Sequence, residues 1–224
     1  MNWKDGSSYI GPFKEGQPEG MGIKNWFDGS IYTGEFKAGK ANGNGKLSEI
    51  DGTNFEGVFE NDLPAGVGLK TWKNGDEYYG FVKEGLAHGK GKKDWVTGRS
   101  YVGDWKFGVP YGKGTEISED GTEYIGDFRD GVSSGKGTRI EIDGSIAKGV
   151  FDRGMLNGKG SKTWYDGTIY LGQFEEGMAS GSGKKTWYDG TSYEGEFKEG
   201  RANGTGTMTW GNGDKYHGQF FDGK

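Results

Sequence analysis

Cysteine is absent from this sequence, and histidine occurs only as His88 and His217. Without thiols there is no disulfide framework, which fits a reducing compartment. With two widely separated imidazoles, zinc sites and Cys-His nucleophiles lack their materials. No apolar run approaches the length of a membrane span, and the segment after Met1 has neither the basic nor the apolar part of a signal peptide, so a cytoplasmic protein is expected. The 28 basic and 33 acidic residues give a net charge of −5 and are mixed along the chain, which leaves no basic face suited to nucleic acid. Only 31% of residues are hydrophobic, a level that in an aperiodic chain would indicate disorder.

This chain is periodic. Tyr9, Tyr32, Phe55, Tyr78, Tyr101, Tyr124, Ala147, Tyr170, Tyr193 and Tyr216 stand 23 residues apart with no insertion or deletion, a period that indicates a repeat architecture. All but one of the 48 glycines fall on five places in the unit, those of Gly172, Gly177, Gly181, Gly183 and Gly190; Gly211 is the exception. Twelve Tyr, thirteen Phe and eight Trp recur with them. Each well-buried ring offsets roughly 1.5–3 kcal/mol of the cost of ordering the chain. No linker or shift of composition interrupts the register, so a single array over residues 1–224 is predicted, nine full repeats with partial ones at both ends.

The order Tyr-x-Gly-x-Phe, Gly, Gly-x-Gly, Asp-Gly, as in the stretch from Tyr170 to Gly190, resembles the MORN repeat over essentially the whole chain. Departures are few: Phe55 and Ala147 at the leading Tyr, Val82 and Trp105 at the Phe, and Asp62 at the second Gly. Ala147 removes an aromatic outright from the leading position and puts the packing around it in question.

The unit reads as a β-hairpin, with strands such as Gly183 to Tyr188 and Ser192 to Phe197 that alternate and are rich in aromatics. Equivalents of Asp189 are mostly Asp or Asn, and the glycine after them supplies positive φ. A two-residue turn would put Trp187 and Tyr193 on opposite faces. A three-residue loop, Tyr188–Asp189–Gly190, puts them on one face with Gly195 and Phe197, and sets Gly183 across from Gly195. The three-residue loop is therefore expected. The glycine of Tyr-x-Gly-x-Phe is expected to admit a ring from the neighbouring hairpin, and Glu199 to Gly204 to form the loop to the next one. The predicted fold class is all-β: an elongated, twisted antiparallel meander of about ten hairpins, a solenoid-like single-layer sheet. At ~4.8 Å per strand it would be on the order of 90–100 Å long. Its expected core is Trp26, Phe36, Trp72, Trp95, Trp105, Trp164, Tyr170, Phe174, Trp187, Tyr193, Phe197 and Trp210.

A search for chemistry finds none. Gly-Lys is nowhere followed by Ser or Thr, no G-x-G-x-x-G occurs, and carboxylates such as Glu175 and Glu176 recur as ordinary exposed positions. No catalytic residue, cofactor or metal is predicted. Specificity should lie where the repeats differ. The residue after the second glycine is apolar from Leu63 through Leu86, Val109, Val132 and Met155 to Met178; it either tucks under each loop or forms a docking strip. Ile117, Ile140, Ile142, Ile146 and Val150 fall on the face opposite the aromatics where tryptophan is missing, and Leu69, Tyr79 and Phe81 form a smaller group there. Both groups read equally as local core or as a partner surface.

The resemblance implies a non-catalytic scaffold like the stand-alone arrays of radial spoke heads, of protozoan cytoskeletal assemblies and of groove-type binders of myosin tails. A ciliary or other cytoskeletal place, with protein partners, is the expectation. A peripheral tether to anionic lipids is the alternative, disfavoured because no cluster of Lys or Arg escapes its interspersed acids. The edge from Tyr216 to Phe221, with no polar cap after it, is a possible surface for self-association.

Overall fold

The computed structural model describes Met1–Lys224 and contains strands, turns and short connections, with no helix. The chain forms two compact units, Met1–Pro110 and Tyr111–Lys224. In the first, Ser8–Ile10 pairs with Gly20–Asn25, and an antiparallel meander continues through Ile31–Lys37, Lys40–Ser48, Asn54–Glu60, Leu63–Thr71, Glu77–Lys83, Leu86–Asp94 and Ser100–Lys106. The second repeats the plan through Glu123–Arg129, Val132–Ile140, Ile146–Asp152, Met155–Thr163, Ile169–Glu175, Met178–Thr186, Ser192–Lys198, Arg201–Thr209 and Lys215–Phe220.

The hairpin register is the expected one. Gly183 faces Gly195 and Lys185 faces Tyr193. The Trp187 N–H donates to Thr191 O at 2.8 Å and the Gly190 N–H to Trp187 O at 3.0 Å, which leaves Tyr188–Asp189–Gly190 as the loop, with Gly190 at φ 83°. Asp189 Oδ1 accepts from the Thr191 N–H at 2.9 Å. This is why Asp precedes the turn glycine: its carboxylate holds the backbone two residues on.

The other end of the hairpin corrects the reading of Glu199 to Gly204 as a loop. Only Glu199 and Gly200 turn, both left-handed at φ 49° and 80°, and a strand restarts at Arg201. The remaining residues are absorbed as a bulge, because the pairing jumps from Gly195↔Gly206 to Phe197↔Ala202. Two-residue turns with both φ positive match the twist of the flanking strands. Most of these turns also tie neighbouring repeats together. The Gly200 N–H donates to Ala179 O and the Gly177 N–H to Leu156 O, both at 2.9 Å, as does the Gly85 N–H to Pro64 O at 3.0 Å. Asp62, in place of a glycine, donates to Ala41 O at 3.0 Å and takes the Ala41 N–H on its carboxylate at 2.8 Å. A non-glycine residue at a left-handed position costs roughly 1–2 kcal/mol, and asparagine less. Glu199→Asn is accordingly expected to stabilise the protein by about 0.5 kcal/mol, seen as a small rise in denaturation midpoint at unchanged slope.

The glycine of Tyr-x-Gly-x-Phe makes room for a ring from its own strand and not from the neighbouring hairpin, and the same ring also covers the glycine paired with it on the next strand. Tyr170 is fully buried and lies along its strand over Gly172 and Gly183. A Cβ at either glycine would stand 2.6 Å from Tyr170 Cζ. The phenol O–H donates to Gln173 O at 2.9 Å, so the ring is anchored at both ends. Tyr32, Tyr78 and Tyr193 do the same toward Glu35 O, Phe81 O and Glu196 O. Phe55 keeps the ring without the hydroxyl, so Tyr170→Phe should cost only the net worth of one hydrogen bond, about 1 kcal/mol, in chemical denaturation.

Phenylalanines link these tyrosines edge to face. In the first unit Phe36 meets Tyr32 and Tyr9 at centroid distances of 5.1 and 4.9 Å. In the second, Phe197 meets Tyr193 and Tyr170 at 5.1 and 4.8 Å. This ladder is the core. Of the expected core residues, Phe36, Trp105, Tyr170, Phe174, Tyr193 and Phe197 are buried. Trp26, Trp72, Trp95, Trp164 and Trp187 are only half-buried, and Trp210 is 44% exposed. The correction has a plain cause: each of these tryptophans stands just past the end of its strand, as Trp187 follows Thr186, beside the hairpin loop.

Ala147 leaves its leading position without a ring, and the space over the paired glycines is taken from elsewhere. Leu156, 4% exposed, swings into it, with Cδ1 2.7 Å from the Cβ site of Gly149 and 3.2 Å from that of Gly160. Corresponding residues in other repeats are small or cyclic, Ala41, Pro64, Ala179 and Ala202 among them. Phe151 keeps Tyr124 as its partner at 5.0 Å and Phe174 keeps Tyr170 at 5.0 Å, while Leu156 replaces the ring between them.

Candidate functional site

Alternation along each first strand sets Lys and Trp two residues apart on the aromatic face, as in Lys162–Thr163–Trp164 and Lys185–Thr186–Trp187. Pairing then places each lysine across from a leading tyrosine, Lys162 opposite Tyr170 and Lys185 opposite Tyr193. The result in the second unit is a row in which Lys185 Nζ lies 4.9 Å from the Trp164 centroid and 5.2 Å from that of Trp187. Lys162 covers Trp164 at 5.3 Å. Burial draws the Lys185 ammonium down from its ordinary pKa, against the pull of Asp166. Indole faces hold such ammonium groups by their quadrupole.

The first unit carries the same row. Lys93 Nζ stands 4.3 Å from Trp72 and 4.7 Å from Trp95, and the Arg99 guanidinium 4.4 Å from Trp95. Lys93 also pairs with Asp76 at 3.5 Å. Burial pushes the Asp76 carboxyl up, but the Val96 N–H, Asn74 and Lys93 together outweigh it and hold the group below the usual range. Lys70 reaches from the row to the turn and donates to Gly85 O at 3.4 Å.

Between the Trp-Lys row and the row of two-residue turns runs a groove. In the second unit it contains a cavity of about 190 Å³ with Trp164, Lys162 and Lys185 on one bank, Tyr170 and Phe174 on the floor, and Gly177 and Met178 on the other bank. A second cavity, of about 240 Å³, adjoins it through Lys162, Gly177 and Met178 and extends past Met155 to Arg139. Such a surface offers flat apolar faces, thioethers and ammonium groups in alternation. No cluster of three His, Asp or Glu gathers to hold a metal.

Residues singled out by the differences among repeats are placed as follows. Leu63, Leu86 and Val109 in the first unit, and Val132, Met155 and Met178 in the second, are between 40% and 49% exposed, so they do not tuck under the loops. Met155 and Met178 are brought together at the groove. Ile140 and Ile146 face each other across the sheet and are half-buried, with Ile117 across from Glu123 beside them. Ile142 departs from the expectation. It is the first residue of a hairpin loop, 80% exposed, and lies beside Gly121 instead of on the sheet face. Val150 pairs with Lys136 and Asn157 and is exposed. Leu69 and Tyr79 face each other and line an open hollow of about 830 Å³ on the face opposite the aromatics, where Lys46 and Glu56 pair at 3.7 Å. Phe81 instead joins Leu63 at a hollow of about 620 Å³ between turns. The groove lysines escaped the sequence reading, although Lys-x-Trp recurs from Lys24–Trp26 to Lys185–Trp187 and strand alternation puts both on one face.

The family model described as MORN repeat matches residues 9–31, 32–53, 55–77, 78–98, 101–123, 124–145, 148–169, 170–192 and 193–215. No curated protein matches the chain. Among solved structures, the TCP10 domain of Danio rerio CPAP, in complex with a peptide of Danio rerio STIL, is similar with a TM-score of 0.51 at 11% identity over 95% of this chain and 100% of that one. The SAS-4 (dCPAP) TCP domain of Drosophila melanogaster, in complex with a proline-rich motif of Ana2, has a TM-score of 0.44 at 10% identity over 78% of this chain and 88% of that one. The first of these likenesses shows a shared fold.

Proposed function

Because this chain belongs to the MORN repeat family, a non-catalytic repeat module, we propose that it is a scaffold that holds an extended segment of a partner protein along the groove of its aromatic face. The observation that carries this reading is the row Trp164–Lys185–Trp187, of which Trp164 and Lys185 face Met178 across that groove. A polypeptide laid there gains indole and thioether contacts for its apolar side chains and ammonium groups for its acids. Lipid headgroups are served less well, since these lysines are drawn in over indole faces and Lys185 stands near the acid Asp166. Membership in the family supports a ciliary or other cytoskeletal assembly, in the cytoplasm, as the place of such a scaffold.

Selection of peptides from a displayed random library on the immobilised full-length chain tests the reading. Enriched peptides are expected to combine apolar and acidic residues and to lose binding at least tenfold on Trp187→Ser. That variant should still fold, because Ser118 and Glu141 occupy the tryptophan position in other repeats. Peptides that bind the variant equally well, or anionic phosphoinositide vesicles that co-sediment at physiological salt while no peptide is enriched, would overturn it.

A further inference from the structure

The cavity beside Ala147 differs in chemistry from the rest of the groove. Leu156 fills the space over the paired glycines but not the whole volume that a leading ring would occupy, and about 240 Å³ stays open. Arg139 lies directly across from Ala147. Equivalent positions facing Tyr32, Tyr78, Tyr101, Tyr170 and Tyr193 hold lysine; each of these lysines covers the tryptophan two residues on. Arg139 has Glu141 where that tryptophan would stand, so no indole engages it. Its guanidinium is held over Phe151, Cζ 5.6 Å from the ring centroid. Its Nε is buried and makes no hydrogen bond within the chain. Buried guanidinium donors are ordinarily satisfied, and a planar fork stacked on a ring suits a carboxylate.

Other charges in the cavity narrow the choice. Lys162 adds a second cation, while Glu141 and Glu176 supply two carboxylates, of which Glu141 accepts from Thr122 Oγ1 at 3.4 Å. The four formal charges cancel. One bound carboxylate adds a single negative charge beside two cations, whereas a doubly charged phosphate would add two and face both glutamates. Leu156, Met155 and Met178 offer an apolar wall for the carbon chain that carries it.

We propose that this cavity is a receptor for one carboxylate of a bound polypeptide, presented by an acidic side chain or by the chain's C-terminus. The inference rests on the groove reading above and adds its anchor point. In this arrangement Arg139 Nε donates to the carboxylate, Phe151 fixes the guanidinium plane, and Ala147 is the vacancy in the repeat pattern that admits the ligand.

Three probes added to the isotopically labelled full-length chain test it by backbone amide shifts: N-acetyl-leucine, with a terminal carboxylate; N-acetyl-glutamate N-methylamide, with only a side-chain carboxylate; and the neutral N-acetyl-leucine amide. At least one carboxylate probe should saturate shifts at Ala147, Phe151 and Gly177, and the one that binds tighter names the source. The neutral amide should bind at least tenfold more weakly. Arg139→Gln should abolish the effect, and Glu176→Gln should tighten binding about threefold. Ala147→Tyr combined with Leu156→Ala, which restores the ordinary repeat and closes the cavity, should abolish it in a folded protein. Equal binding of acid and amide, unchanged binding by Arg139→Gln, or silence with both carboxylates would overturn the proposal. Silence here with library peptides still lost on Trp187→Ser would spare the groove reading. Carboxylate binding with no enriched peptide would remove the groove reading instead.

Discussion

Raising the pH from 10 to 12 is expected to unfold the protein. Burial pushes the phenols of Tyr32, Tyr78, Tyr124 and Tyr170 up to about 12, from an ordinary value of 10.0. Below pH 10 both folded and unfolded chains keep these protons, so stability does not change through them. Between 10 and 12 only the unfolded chain releases them, and stability therefore falls as pH rises. A two-unit difference is worth about 2.7 kcal/mol per group at the upper end of the window. Four such groups together reach about 10 kcal/mol, the scale of a whole domain's stability. Tyrosinate absorbance and the strand circular dichroism signal should change together in one transition. Phenols that titrate near pH 10 with the strand signal intact would show that the rings are not anchored as described.

The second large effect concerns the repeat that lacks its ring. Leu156→Ala should cost about 2–4 kcal/mol, because it empties the space over Gly149 and Gly160 that only Leu156 fills. Ala147→Tyr alone should also destabilise, by about 1–3 kcal/mol, since the new ring and Leu156 would compete for one place. Together the two changes should return stability close to that of the parent, a coupling of at least ~2 kcal/mol between positions nine apart in sequence. Denaturant unfolding of the four proteins measures it. Additive costs would mean that Leu156 does not substitute for the missing tyrosine.

Much of this was legible before any coordinate. A period of two along the strand and the placing of Asp189–Gly190 decide which side chains share a face, so the three-residue loop, the opposed glycines and the all-strand meander followed from local rules. The turn at Glu199–Gly200 did not, because a bulge trades loop for strand without any signature stronger than another glycine, Gly204. Nor did the ring over the glycines reveal its owner, since the period constrains the face and not the direction in which Tyr170 leans. Tryptophan was misjudged by its size: Trp187 and Trp210 are large and apolar, yet their place beside a loop decides their exposure. The groove was half visible. Met155 and Met178 stand out as departures from the repeat, while Lys162 and Lys185 follow it and carry no such mark. Arg139 could be read only against Ala147, Phe151 and Leu156 together, and a single sequence does not bring those four into one place.

The turn-to-turn hydrogen bonds have a consequence for how such a chain changes over generations. Gly177 to Leu156 and Gly200 to Ala179 span the same interval along the chain, and ring contacts reach no farther than the next repeat. An in-frame loss or gain of one whole unit inside either compact half therefore rejoins like with like at every bond. Heredity can lengthen or shorten the groove in steps of one hairpin while the fold at each junction stays the same, and only the repeat holding Ala147 and Leu156 must be inherited as a matched set.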